Sequence, residues 1–147
     1  METISIKILN SSDNQLPSYA TEGASGMDLR ANLDDQIVLQ SMERKLVATG
    51  ISIELPNGCE AQVRPRSGLA IKQGITCLNS PGTIDSDYRG EIKVILINLS
   101  TEPQYINHGD RIAQLVIGKV HHATWQVVHE LQGTKRSDGG FGHTGIL

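Results

Sequence analysis

Residues 79–91 read Asn-Ser-Pro-Gly-Thr-Ile-Asp-Ser-Asp-Tyr-Arg-Gly-Glu. Two carboxylates, Asp85 and Asp87, stand two positions apart beside Tyr88, one of three tyrosines in the chain. Asn79 and Gly82 precede them, Gly90 follows, and apolar strand-like runs flank the block. A hairpin of this kind lines a small pocket with backbone groups, one carboxylate and one aromatic face. That set can bind a flat base and cut a bond beside it.

Four other segments carry weaker signals. In Arg64-Pro-Arg-Ser-Gly-Leu-Ala, Pro65 disfavours helical geometry at Arg64. Ser67 suits an N-cap, and the free N–H groups of the turn with Arg66 would bind an anion. The same stretch also reads as a strand-to-turn junction with solvated arginines. Ser25–Ala31, with Gly26 and Asp28, reads as a turn entering a strand. Gly109–Leu115 reads the same way, with Gln114 either at the core edge or functional. Gly140–Gly145 matches Gly-x-Gly-x-x-Gly, but the dinucleotide reading needs a strand before, a helix after and an acidic residue about 20 positions on, and the sequence ends two residues later, so that reading is not expected to hold. Its backbone N–H groups can still wrap phosphate, and Arg136 upstream can pair with one.

The elements that must position these residues are strands. Ile4, Ile6 and Ile8 alternate with polar residues, as do Ile51, Ile53 and Leu55. Residues 92–99, 111–120 and 125–131 are short apolar runs, rich in β-branched residues, between Gly, Pro, Asn and Asp. A helical turn or two is expected only at Ser67–Lys72. The 147-residue chain suits one domain. Aromatics are 3% of residues, so the core must be aliphatic. Five of the last fifteen residues are Gly, and the single Phe, Phe141, sits among them. The expected division is a β domain over residues 1–132 and a mobile arm over 133–147, with Phe141 a candidate lid.

Other classes are disfavoured. The formal net charge is −3 and no basic stripe is present, which argues against nucleic acid. Apolar runs are far too short to span a membrane as helices, and no signal-like N-terminus is seen, so a cytoplasmic location is expected. Cys59 and Cys77 fit buried free thiols. His108, His121, His122, His129 and His143 show no zinc spacing and fit surface or packing roles.

Taken in order, Ser25–Ala31, Pro65–Ala70, Asn79–Lys93, Gly109–Val116 and Arg136–Gly145 resemble the trimeric dUTPase family across nearly the whole chain. The resemblance implies an all-β, jelly-roll-like β-barrel, a homotrimer with shared active sites, and Mg²⁺-dependent hydrolysis of dUTP to dUMP and diphosphate. It implies that Asp85 is the general base, while Asp87 caps the turn of Asp-Tyr-Arg-Gly. Tyr88 would lie against the deoxyribose and exclude a 2′-hydroxyl. Asn79 and backbone groups of Thr83, Ile84 and Lys93 would read the uracil edge. Arg66, Ser67, Gly68 and Gln114 would hold phosphate or water, and Asp28 would reach Mg²⁺ through water. Phe141 would stack on the base, with Arg136 and Gly142 at the phosphates. Ser137 and His143 depart from the family's usual Gly and Ser. A deaminase of the same superfamily would need a Glu base, which the sequence does not single out. A non-catalytic module would be expected to lack Asp85, Tyr88 or the tail Phe, and all are present.

Overall fold

The computed structural model describes residues 3–141. Ten strands and one short helix appear in this order: β1 (Lys7–Asn10), β2 (Gly26–Arg30), β3 (Ile37–Leu39), β4 (Arg44–Glu54), β5 (Cys59–Arg64), α1 (Ser67–Gln73), β6 (Ile75–Cys77), β7 (Gly82–Ile84), β8 (Ile92–Asn98), β9 (Gln104–Ile106) and β10 (Arg111–Lys119). They form two four-stranded sheets, β1-β4-β8-β6 and β2-β10-β5-β7, and a β3-β9 ribbon. Every strand pair is antiparallel. The architecture is the expected all-β jelly-roll-like one. Its hydrogen bonding stops at the sheet edges, so the barrel is not closed.

Side-chain alternation explains the packing. On β8, Ile92, Val94 and Leu96 are buried, whereas Lys93 between them is exposed. They meet Val47, Ile51 and Ile53 of β4 and, from the other sheet, Ala61, Val63, Ala113 and Leu115, in one aliphatic core. Each fully buried Ile, Leu or Val contributes roughly 1.5–3 kcal/mol. Burial also pushes the Cys77 thiol up to about 11, while Cys59, at the start of β5, is only half-buried.

A bulge interrupts the β4–β8 ladder between Ala48 and Ile51. Gly50 there has φ 72°, a left-handed conformation that glycine adopts without strain. A Cβ at Gly50 would lie 2.8 Å from Ser12 Cβ and 2.9 Å from Ser12 N, so space excludes a side chain as well. The buried Thr49 hydroxyl donates to Ile92 O at 2.6 Å and ties the bulge to the start of β8.

Two expectations fail. The apolar run 125–131 forms no strand within the chain. Trp125, Val127 and Leu131 are almost fully exposed, because no sheet edge of the same chain lies against them. Ser67 is not the N-cap: Arg66 holds that position with extended backbone (φ −100°, ψ 128°), and no side chain caps the helix. The helix therefore begins with Ser67 inside it. The physical reason is that Arg66 is pinned by other strands.

Asn98 closes the far end of β8. It is fully buried, donates to Leu39 O at 2.9 Å and Glu102 O at 2.8 Å, and accepts Ser100 N–H at 2.9 Å. Asn98→Leu should cost about 2–4 kcal/mol, since two donors and an acceptor are lost and the carbonyl of buried Leu39 loses this partner. A denaturant midpoint equal to wild type would contradict this.

Candidate functional site

The residues of 79–91 do not make a simple hairpin. β7 pairs with β5, and β8 pairs with β4 and β6, so the chain crosses from one sheet to the other. The two strands splay instead of pairing. Between them lies a pocket of about 310 Å³ lined by Asn79, Gly82, Thr83, Ile84, Asp85, Tyr88, Glu91, Lys93, Val94 and Ile95, with Leu46 and Val63 as its apolar wall. The free edge of β7 and the edge of β8 near Lys93 face this space. On β8 that side is paired only further along, by Leu78 N–H on Ile95 O at 2.9 Å and by β6 beyond it. Backbone donors and acceptors are thus left for a flat guest.

At the mouth, Asp85 is exposed and Tyr88 is 43% exposed. Tyr88 N–H donates to Asp85 O at 3.1 Å, and Arg89 Nη1 donates to Ser86 O at 2.7 Å and to Tyr88 O at 3.0 Å. Those bonds close the turn, so the turn-capping role expected of Asp87 falls to backbone and Arg89 instead. The Tyr88 ring folds back over Gly90. A Cβ at Gly90 would stand 2.3 Å from the Tyr88 hydroxyl oxygen, so a side chain there displaces the ring. The hydroxyl donates to Glu91 O at 3.0 Å.

A second constellation lies elsewhere on the chain. Asp28 accepts Arg66 Nε at 2.8 Å on one oxygen and Arg111 Nη1 at 3.3 Å on the other. Arg66 Nη1 also donates to Arg111 O at 3.2 Å. Asp28, on β2, thereby aims two guanidinium groups beside the first turn of α1. Gln114 donates to Pro65 O at 3.0 Å and braces the same loop. Ser67 and Gly68 are exposed at the helix start, where backbone N–H groups lack helical partners. Sequence reasoning missed Arg111, whose role depends on the β2–β10 pairing.

The two constellations do not meet within one chain. Register places Ala61 opposite Ile84, so Asp85 is level with Glu60. Arg64 lies four residues further along β5, roughly 13 Å at strand rise, and Arg66 lies beyond it. Asp28 is on the opposite edge of that sheet from β7, three inter-strand steps or about 14 Å away.

Toward the C-terminus, Arg136 Nε donates to Gly139 O at 2.9 Å, and Phe141 is fully exposed. Ser137 has φ 49°, a left-handed conformation that favours glycine. That accounts for the glycine of the family pattern at this position. Gly142 and His143 lie outside the described residues. Among the described residues, no three His, Cys, Asp or Glu side chains gather as a metal cage. His108 acts in packing: its Nδ1 accepts Leu33 N–H at 3.1 Å and Nε2 lies 2.6 Å from Asp13.

Comparison with known proteins gives the family and the fold. A profile described as dUTPase matches residues 12–145. A "Deoxyuridine 5'-triphosphate nucleotidohydrolase" of Cytophaga hutchinsonii is 60% identical over 143 residues, covering 97% of this chain and 93% of the relative. One of Fusobacterium nucleatum is 52% identical over 145 residues, covering 99% of each. Among solved structures, a Staphylococcus bacteriophage 80alpha dUTPase variant with dUpNHpp superposes with TM-score 0.88 at 21% identity, covering 98% of this chain and 100% of that one. A dUTPase variant from phage phi11 of S. aureus, described with a structural Mg(II) ion, has TM-score 0.78 at 20% identity, covering 88% and 100%.

The Gly90 contact gives a direct structural test. Gly90→Ala should push Tyr88 off the turn and break its bond to Glu91 O. Tyr88 should then be nitrated faster by tetranitromethane, as read by peptide mapping. An unchanged rate would contradict the packing described.

Proposed function

The chain belongs to the dUTPase family, hydrolases of dUTP, and from that premise we propose how its residues divide the reaction. The observation that carries the reading is the pocket between the unpaired edges of β7 and β8, with Asp85 and Tyr88 at its mouth. Uracil fits as a flat insert that pairs with both edges. Backbone groups of Thr83, Ile84 and Lys93, with Asn79, read its acceptor and donor pattern. Cytosine carries a donor where uracil carries an acceptor, which leaves buried groups of such a site unpaired. Tyr88 packs against the deoxyribose and leaves no room for a 2′-hydroxyl.

Chemistry occurs at the α-phosphorus. Asp85 accepts a proton from a water, whose oxygen attacks in line. The bond from the α-phosphorus to the bridging oxygen breaks, so diphosphate leaves and dUMP remains. Arg66, with the N–H groups at Ser67 and Gly68, neutralises and orients the phosphate oxygens, and Gln114 holds their loop. Phe141 stacks over the base, while Arg136 and Gly142 contact the outer phosphates. dUMP so formed is a precursor for thymidylate.

Mg²⁺ fits this site in one way. The lack of a carboxylate cage among the described residues suits an ion held mainly by triphosphate oxygens and water. Asp28, with each oxygen already facing an arginine, would reach it only through water. When bound, the ion neutralises phosphate charge.

The separation of Asp85 from Arg66 within one chain supports sites built from several copies, with a homotrimer as the assembly. The exposed apolar run around Trp125–Leu131 supports the same reading, since it leads to the arm. In this assembly residues 1–132 form the body and 133–147 complete a neighbouring site. The fully exposed Phe141 is compatible with that role.

With Mg²⁺ and catalytic amounts of protein, dUTP should release diphosphate; no release would overturn the reading. Asp85→Asn should bind dUTP within a few-fold of wild type but lose about 10²–10⁴ in kcat. Near-normal kcat would mean another group is the base. Mixed assemblies of Asp85→Ala chains and chains ending at Leu131 should regain activity. Verified mixed assemblies without any rescue would place the whole site on one chain.

A further inference from the structure

Glu91 lines the pocket, but its carboxylate is already engaged. Oε1 accepts Gly50 N–H at 2.8 Å, and Oε2 lies 3.7 Å from Lys93 Nζ. Gly50 is the left-handed residue of the β4 bulge, and its carbonyl accepts Ser11 N–H at 2.8 Å. A bulge leaves an N–H without a ladder partner, and here a carboxylate supplies one through a charge-assisted bond. The backbone carbonyl of the same Glu91 accepts the Tyr88 hydroxyl. One residue therefore joins the bulge to the aromatic ring at the pocket mouth. The ring rests on Gly90 and is otherwise half-open to solvent, so this carbonyl is the polar tether that fixes its tip.

We propose that Glu91 is a positioning residue for sugar discrimination: by clamping the Gly50 bulge, its carboxylate fixes the carbonyl that tethers Tyr88. This role rests on the hydrolase reading above and deepens it. Glu91 does not act as a base, because its carboxylate oxygens are directed to Gly50 and Lys93. Removing the carboxylate leaves Gly50 N–H unpaired, and the bulge, the Glu91 carbonyl and the ring shift together. The expected loss is therefore in rejection of a 2′-hydroxyl more than in turnover of the deoxynucleotide.

The test compares kcat/KM for dUTP and UTP in wild type, Glu91→Gln, Glu91→Ala, Tyr88→Phe and the Glu91→Ala/Tyr88→Phe double variant. Glu91→Ala and Tyr88→Phe should each lower the dUTP:UTP ratio about tenfold, the scale of one disrupted hydrogen bond. Glu91→Gln keeps an acceptor and should stay within about threefold of wild type. The double variant should be no less selective than the weaker single one, because both changes cut one linkage. Unchanged selectivity in Glu91→Ala, or fully multiplicative losses in the double variant, would overturn the role. If Glu91→Ala does not fold, Glu91→Met, which keeps the side-chain bulk but removes the acceptor for Gly50 N–H, takes its place: a roughly tenfold lower dUTP:UTP ratio beside a near-wild-type Glu91→Gln supports the role, and unchanged selectivity overturns it. Wild-type turnover of dUTP in the same assay reports on the hydrolase reading separately. Failure there overturns both, whereas wild-type turnover with unaltered variants overturns the positioning role alone.

Discussion

β7 and β8 follow one another in sequence but do not pair, and the pocket depends on that constraint. A tight hairpin would satisfy both edges and leave no space. Instead β7 is held by β5 and β8 by β4, in different sheets. The edges therefore keep backbone donors and acceptors facing a cavity. Such groups are costly to leave unpaired when water is excluded, so a guest that matches them gains more than one that does not. A backbone-lined site also has few rotamers to freeze on binding. Rigidity comes from the aliphatic core beneath, where Ile92 and Val94 are buried.

The rest of the site is arranged around this fixed frame by long-range polar contacts. Asp28 holds Arg66 from a strand 38 residues earlier, and Arg111 completes the pair of guanidinium groups it aims. Glu91 reaches Gly50 across 41 residues. In the proposed reaction the Asp28–Arg66–Arg111 group neutralises phosphate and the Glu91–Gly50 contact steadies the sugar contact. In that proposed reaction, the strand offset of roughly 13 Å from the level of Asp85 to Arg64, with Arg66 further along the chain, is what calls for a second copy to complete each site.

Period-two alternation made the β class legible, because strands half-buried against a core must alternate. The family was legible as a set of ordered segments that resemble it. Neither signal could reveal splayed strands: a Gly-rich block between two apolar runs reads as a hairpin whether or not the runs pair. Residues 125–131 had strand composition but lacked a partner edge, which no local pattern encodes. Ser67 was a good N-cap by type, yet ion pairing extends Arg66 and moves the helix start by one residue. Arg111 and Glu91 escaped notice because their meaning lies in contacts distant in sequence.

The central claim is that the edges of β7 and β8 read a uracil base while Tyr88 screens its sugar. A hydrolysis panel of dUTP, dCTP, dTTP and UTP with Mg²⁺ tests it most directly, using diphosphate release as readout. The account predicts cleavage of dUTP, with kcat/KM for each of the others lower by about 100-fold or more. Comparable cleavage of dCTP would contradict base reading by these edges, and comparable cleavage of UTP would contradict the sugar screen.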